Sequence, residues 1–186
     1  MSEYGDLRRG ADGERVASSF RGIGIGRRAM TENYLHRPIL ENLEAALREL
    51  LRTLPETAAS ISMRSQADVS QIRVTPINPR AAAITVIVPN NESEGVTLIA
   101  GKGSYFEIPP DGHRYTNLPL LDEVQSIACA VIGGGLRESV KMLGDEVVQG
   151  VGTINLPKPM TVHWRQFLFR PFKRKESREF SYEPYY

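Results

Sequence analysis

The sequence predicts an α+β domain: a curved antiparallel sheet of about six strands with two helices packed on one face. Three observations lead there. Two stretches place apolar residues at helical spacing, each is followed by a series of β-branched or alternating runs, and Gly, Pro and Asn separate those runs at short intervals. An amphipathic helix must bury its stripe against something apolar, and one face of an antiparallel sheet supplies it.

The chain of 186 residues is long enough for one domain with tails. The expected division is a flexible N-terminal arm at 1–30, a single α+β domain at 31–172 and a charged, aromatic C-terminal tail at 173–186. The arm mixes Gly, Ser, Asp and Arg with few large apolar residues, so burial there cannot offset the entropy of ordering it. Within it Gly24-Ile25-Gly26-Arg27-Arg28-Ala29 fits the dinucleotide pattern G-x-G-x-x-A, but no hydrophobic strand precedes it and no βαβ pattern surrounds it. It reads as a Gly-rich linker.

The first helix is expected over 38–54. Pro38 suits the first turn, and Ile39, Leu40, Leu43, Ala46, Leu47, Leu50, Leu51 and Leu54 form one wide apolar stripe that Pro55 ends. Glu44, Arg48 and Arg52 lie four apart on the opposite, solvated side. The stretch 56–70 is polar and reads as a connection. Ile72, Val74 and Ile77 then suggest a short strand, with Pro76 and Pro79 placing it at a sheet edge or strand end. The β-branched runs 84–88 and 96–99, joined by the turn-rich 89–95, form a hairpin with a long loop. Gly101-Lys102-Gly103-Ser104 has the composition of a phosphate loop, but Val96 and Gly103 occupy the places where a Walker loop needs Gly and Ser or Thr. It reads as a tight turn into the strand 105–108, with Lys102 exposed at its tip.

The second helix begins at Leu120. Leu121, Val124, Ile127, Ala128 and Val131 follow at spacings of three and four, Asp122 and Glu123 sit where the helix dipole favours acids, and Gly133, Gly134 and Gly135 stop the helix. Beyond them the period becomes two. Leu136, Val140 and Met142 alternate with Arg137, Ser139 and Lys141; Gly144-Asp145 turns the chain into 147–154; and 160–172 follows Pro157-Lys158-Pro159. In that last strand Val162, Trp164, Gln166 and Leu168 share one face while Thr161, His163, Arg165, Phe167 and Phe169 share the other. Large apolar groups on both faces mean cover on each side or aromatics presented to a partner. The order of elements is similar to that of chaperone-like and immunity-protein-like α+β folds of bacteria, a likeness of element order alone.

Composition excludes little. The formal net charge of +1 gives no global field for nucleic acid or an anionic membrane, so neither partner is expected. The single Cys129 forms no intrachain disulfide, the start lacks the apolar core of a secretory signal, and no stretch approaches the roughly 18 apolar residues of a spanning helix. A cytoplasmic protein is expected, and the excess of Arg over Lys points to a bacterial source.

Catalysis needs a base, acid, nucleophile or metal within mutual reach. His36, His113 and His163 are far apart in sequence and in no metal-ligand spacing, and Cys129 lies between Ala128 and Ala130 on a helix margin. No catalytic, metal-binding or cofactor-binding residue is therefore assigned. The densest polar and aromatic loop is 109–117, where Asp111, His113, Arg114 and Tyr115 are candidate contacts. The expected function is a noncatalytic interaction module that binds a protein or another copy of itself through Trp164, Arg165, Phe167 and Phe169. One alternative is a small-ligand enzyme or sensor built on the 109–117 loop. Another is nucleic-acid binding by the last strand and the basic run Lys173-Arg174-Lys175, which Glu176 and Glu179 dilute.

Overall fold

The computed structural model describes residues 38–91, 94–165 and 175–186. The arm at 1–30, Phe167 and Phe169 lie outside them. The elements are α1 (Pro38–Arg52), β1 (Ala59–Ser65), β2 (Val69–Pro76), β3 (Ile84–Pro89), β4 (Val96–Ala100), β5 (Ser104–Ile108), α2 (Leu120–Ile132), β6 (Leu136–Leu143), β7 (Glu146–Ile154), β8 (Met160–Arg165) and β9 (Glu176–Ser181). The fold is α+β, and among the described residues every strand pair is antiparallel.

The expected single sheet of about six strands is instead two sheets, one ordered β1-β2-β3-β4-β5 and the other β8-β7-β6-β9. The sequence hides two of these strands. β1 carries Ser at alternate positions, so the run looks like a polar connection, and β9 is the charged segment that composition presents as a tail. The helix α2 separates β5 from β6 along the chain, and β6 begins a new sheet instead of extending the old one.

The core forms on one face of the five-stranded sheet. Register aligns Ile72, Val86, Leu98 and Phe106 in one row and Val74, Ile84 and Ala100 in the next, all buried. Leu40, Leu43 and Leu47 of α1 and Val124, Ile127, Ala128 and Val131 of α2 cover those rows, and the stripe read from the sequence is the face that does so. α2 stops where its glycines begin: Gly133 N donates to Cys129 O and Gly134, at φ 76°, to Val131 O.

The second sheet meets the first at β5. Gly150 and Gly152 of β7 lie opposite Trp164 and Val162 of β8, on the face turned to β5. A Cβ on Gly150 would lie 2.2 Å from the Trp164 ring, and one on Gly152 would lie 2.0 Å from Ser104 Oγ. The two glycines thus make room for the indole and for the close approach of β5. The last residues close the junction from the other side. Tyr185 is buried, with its hydroxyl donating to Ala82 O and its amide to Ile132 O, while Arg80 pairs with Glu183 at 3.0 Å.

Because Ser104 is itself buried and held, Gly152→Ala is expected to destabilise the protein by about 1–3 kcal/mol through overpacking. Urea unfolding checks this: the midpoint should fall with the slope unchanged.

Candidate functional site

Two turns in this fold present backbone amides inward, and a buried glutamate fills each. The first is the 109–117 loop. Gly112 N donates to Pro109 O, His113 N to Leu118 O, and Gly112 and His113 hold positive φ values of 76° and 65°. That backbone curls the amides of Arg114, Tyr115 and Thr116 around one point, where the carboxylate of Glu123 accepts from all three and from Thr116 Oγ1. Glu123 is fully buried on α2.

The second is the β4–β5 turn. Glu138, on the buried face of β6, accepts from Lys102 N at 2.7 Å, Ser104 N at 2.9 Å, Ser104 Oγ at 2.6 Å and Tyr182 OH. All four contacts are ones that a carboxylate accepts, and they join the first sheet, the second sheet and the C-terminal segment at one group. Gly101 and Gly103 have positive φ, which the turn needs to aim those amides. The composition of a phosphate loop thus corresponds to a real anion-holding turn, and its anion is the chain's own.

Among the described residues, the candidates read from sequence do not converge. Asp111, His113 and Arg114 are exposed, and Arg114 pairs with Glu107 at 3.3 Å and lies over the ring of Tyr115. Tyr115 is half-buried, edge-on to Phe106. Its hydroxyl is raised above the ordinary tyrosine range by burial, with Arg114 opposing. The groove beside this loop is lined by Pro110, Pro119, Leu121 and Asp122, with Ile39 and Asn42 of α1. Trp164 is partly buried across Gly150, at the sheet junction. Arg165 pairs with Gln149 in the β7–β8 ladder. Among the described residues no three His, Cys, Asp or Glu side chains gather in a metal-binding group, and no helix is long and apolar enough to cross a membrane.

A surface the sequence reading passed over is the outer edge of β1. Ile77 N donates to Ala58 O and Gln66 N to Val69 O, so the even-numbered residues turn their backbone groups toward β2. Ala59, Ile61, Met63 and Ser65 therefore turn their N–H and C=O groups outward, and among the described residues no strand pairs with them. The side chains of Ile61 and Met63 extend the core rows, opposite Val74 and Ile72, and Met63 ends its row 49% exposed. Beside Ile61 lies a groove of about 370 Å³ lined by Leu51, Leu54, Pro55 and Ala59 together with Arg48, Arg52 and Glu56. The legible signal is the alternation Ala59, Ile61, Met63 with Ser60, Ser62, Arg64.

Comparison with protein-family models, with curated proteins and with solved structures finds no match to this chain.

Glu138→Gln and Glu123→Gln each turn an acceptor into a group with donors facing donors. Each is expected to cost about 2–3 kcal/mol, against less than about 0.5 kcal/mol for Glu107→Gln at the exposed pair. Parallel denaturant titrations decide it.

Alkaline pH provides a second check. Burial first, then the hydrogen bond to Glu138, raises the Tyr182 hydroxyl above the ordinary range, and burial raises Tyr185. The folded state therefore keeps protons that the unfolded chain releases near pH 10. Stability is full below that point and falls as pH rises beyond it, by up to about 1.4 kcal/mol per unit for each tyrosine. The double variant Tyr182→Phe, Tyr185→Phe should lose stability less steeply between pH 10 and 11, as measured by urea midpoints.

Proposed function

We propose that this protein is a noncatalytic interaction module that receives an extended segment of a protein partner along the outer edge of β1. The observation that carries this reading is the coincidence at that edge of outward backbone donors and acceptors with an apolar row that runs off the sheet at Ile61 and Met63. An added strand would satisfy the first and cover the second. The remaining features agree with a binding role. The carboxylates of Glu123 and Glu138 are each engaged by several donors, which suits them to holding turns more than to proton transfer.

Edge protection elsewhere supports the choice of edge. β9 carries Glu176, Arg178 and Glu179 on the border of its sheet, the kind of charge that discourages strand addition, whereas the seven residues of β1 include one charge, Arg64. A photo-crosslinking residue placed at Arg64 and activated in the source cell is expected to yield an adduct with a second polypeptide. That adduct should vanish in Met63→Pro, which removes an outward amide and leaves the β2 ladder intact. Recovery of the uncrosslinked chain alone, or an adduct indifferent to Met63→Pro, overturns the reading.

A further inference from the structure

We infer that the segment received at the β1 edge is β1 of a second copy, paired antiparallel about a two-fold axis at Ser62; this rests on the strand-docking reading above. The outward parity of β1 restricts which pairings are available. Hydrogen-bonded pairs must join odd-numbered residues of both copies, and the register that overlaps the whole strand is the one that sets Ile61 against Met63 and Ala59 against Ser65. By symmetry each of these pairs forms twice. The interface is isologous and closes on itself, so it makes a dimer and not a fibre.

The side chains agree with that register. On the helix-covered face it places Ile61 beside Met63, so the buried row of Ile72, Val86, Leu98 and Phe106 in one copy continues through its own Met63 into Ile61, Val74 and Ile84 of the other. The groove beside Ile61 adjoins the place that the Met63 side chain of the second copy would take; its apolar part is Leu51, Leu54, Pro55 and Ala59, where an unbranched thioether packs readily, and Arg48, Arg52 and Glu56 line the rest. On the opposite face the register sets Arg64 against Ser60, so the one charge of the strand never faces its own copy. The two five-stranded sheets become one sheet of ten strands, and the exposed end of each core row is covered.

Light scattering on the purified full chain tests this, together with amide exchange and the crosslinker at Arg64. The expected result is a mass twice the 20.7 kDa of the chain, slow exchange at Ile61 and Met63, and a crosslinked species of two copies. Met63→Lys, at a half-exposed position that the fold tolerates, should weaken the dimer by about tenfold or more. Met63→Pro should give a folded monomer with the same far-ultraviolet circular dichroism. A dimer unaffected by both variants overturns the inference. A monomer at every concentration that still forms a Met63-dependent adduct with a different polypeptide overturns self-pairing and leaves strand docking standing. A monomer with no adduct overturns both.

Discussion

The carboxylate of Glu138 is the constraint on which the rest of the molecule depends. It sits on β6, yet three of its four hydrogen bonds come from the β4–β5 turn and the fourth from Tyr182. Without a group of that length and acceptor capacity, the amide and hydroxyl of Ser104 would be buried without partners, and an unpaired buried donor costs more than a made bond returns. The junction of the two sheets follows from it. Ser104 must come close to β7, so position 152 has no side chain, and the indole of Trp164 must lie flat on the same face, so position 150 has none. Lys102, whose amide the carboxylate holds, then rests its ammonium over the ring of Phe180 on β9.

Glu123 repeats the device at the other end of β5. Both glutamates hold a turn with a left-handed residue, both are surrounded by backbone amides, and both lie on an element that packs into the core. The two turns flank one strand. β5 is therefore fixed at both ends by anions supplied from elsewhere in the chain, which explains how an edge strand of five residues can hold the second sheet without pairing to it. It also explains why the loop richest in polar and aromatic residues offers its amides to the protein itself.

How much of this was legible depended on whether parity was followed through every residue. The two helices, the 84–100 hairpin and the return strands after Gly135 follow from periodicity, and the structure places them there. Glu123 and Glu138 were legible in principle. Glu123 falls on the apolar stripe of α2, one turn before Ile127, and Glu138 falls on the apolar parity of β6 between Leu136 and Val140. An acid at a core position must be met by donors, so its location, more than its charge, was the signal. What they bind was not legible, because hydrogen bonds from Lys102 and Ser104 to Glu138 span more than thirty residues and depend on the packing of two sheets. What the aromatics of the tail dock on was not legible for a similar reason. Its charges are exposed on both faces of β9, while Tyr182 and Tyr185 reach inward to partners at Glu138 and Ala82 that composition cannot reveal.

The two ends of the five-stranded sheet differ in how they are finished, and that difference is the ground for the docking edge proposed at β1. At β5 the backbone edge is met by β7 and β8, and the core rows end on Phe106 and Ser104 under cover of the second sheet. At β1 the same rows end on Met63 and Ile61 with the helices covering them only in part, since α1 stops at Arg52 and Pro55 turns the chain away. An edge that needed only to stay unpaired would gain from a charge or a proline in the middle of that strand, where proteins commonly place one. Its absence from positions 59–63 leaves a strand that is flat in pattern, apolar on one side and uncharged at its centre. Those are the properties that favour pairing with another chain, and they occur here beside a groove that Leu51, Leu54 and Pro55 share with Arg48, Arg52 and Glu56.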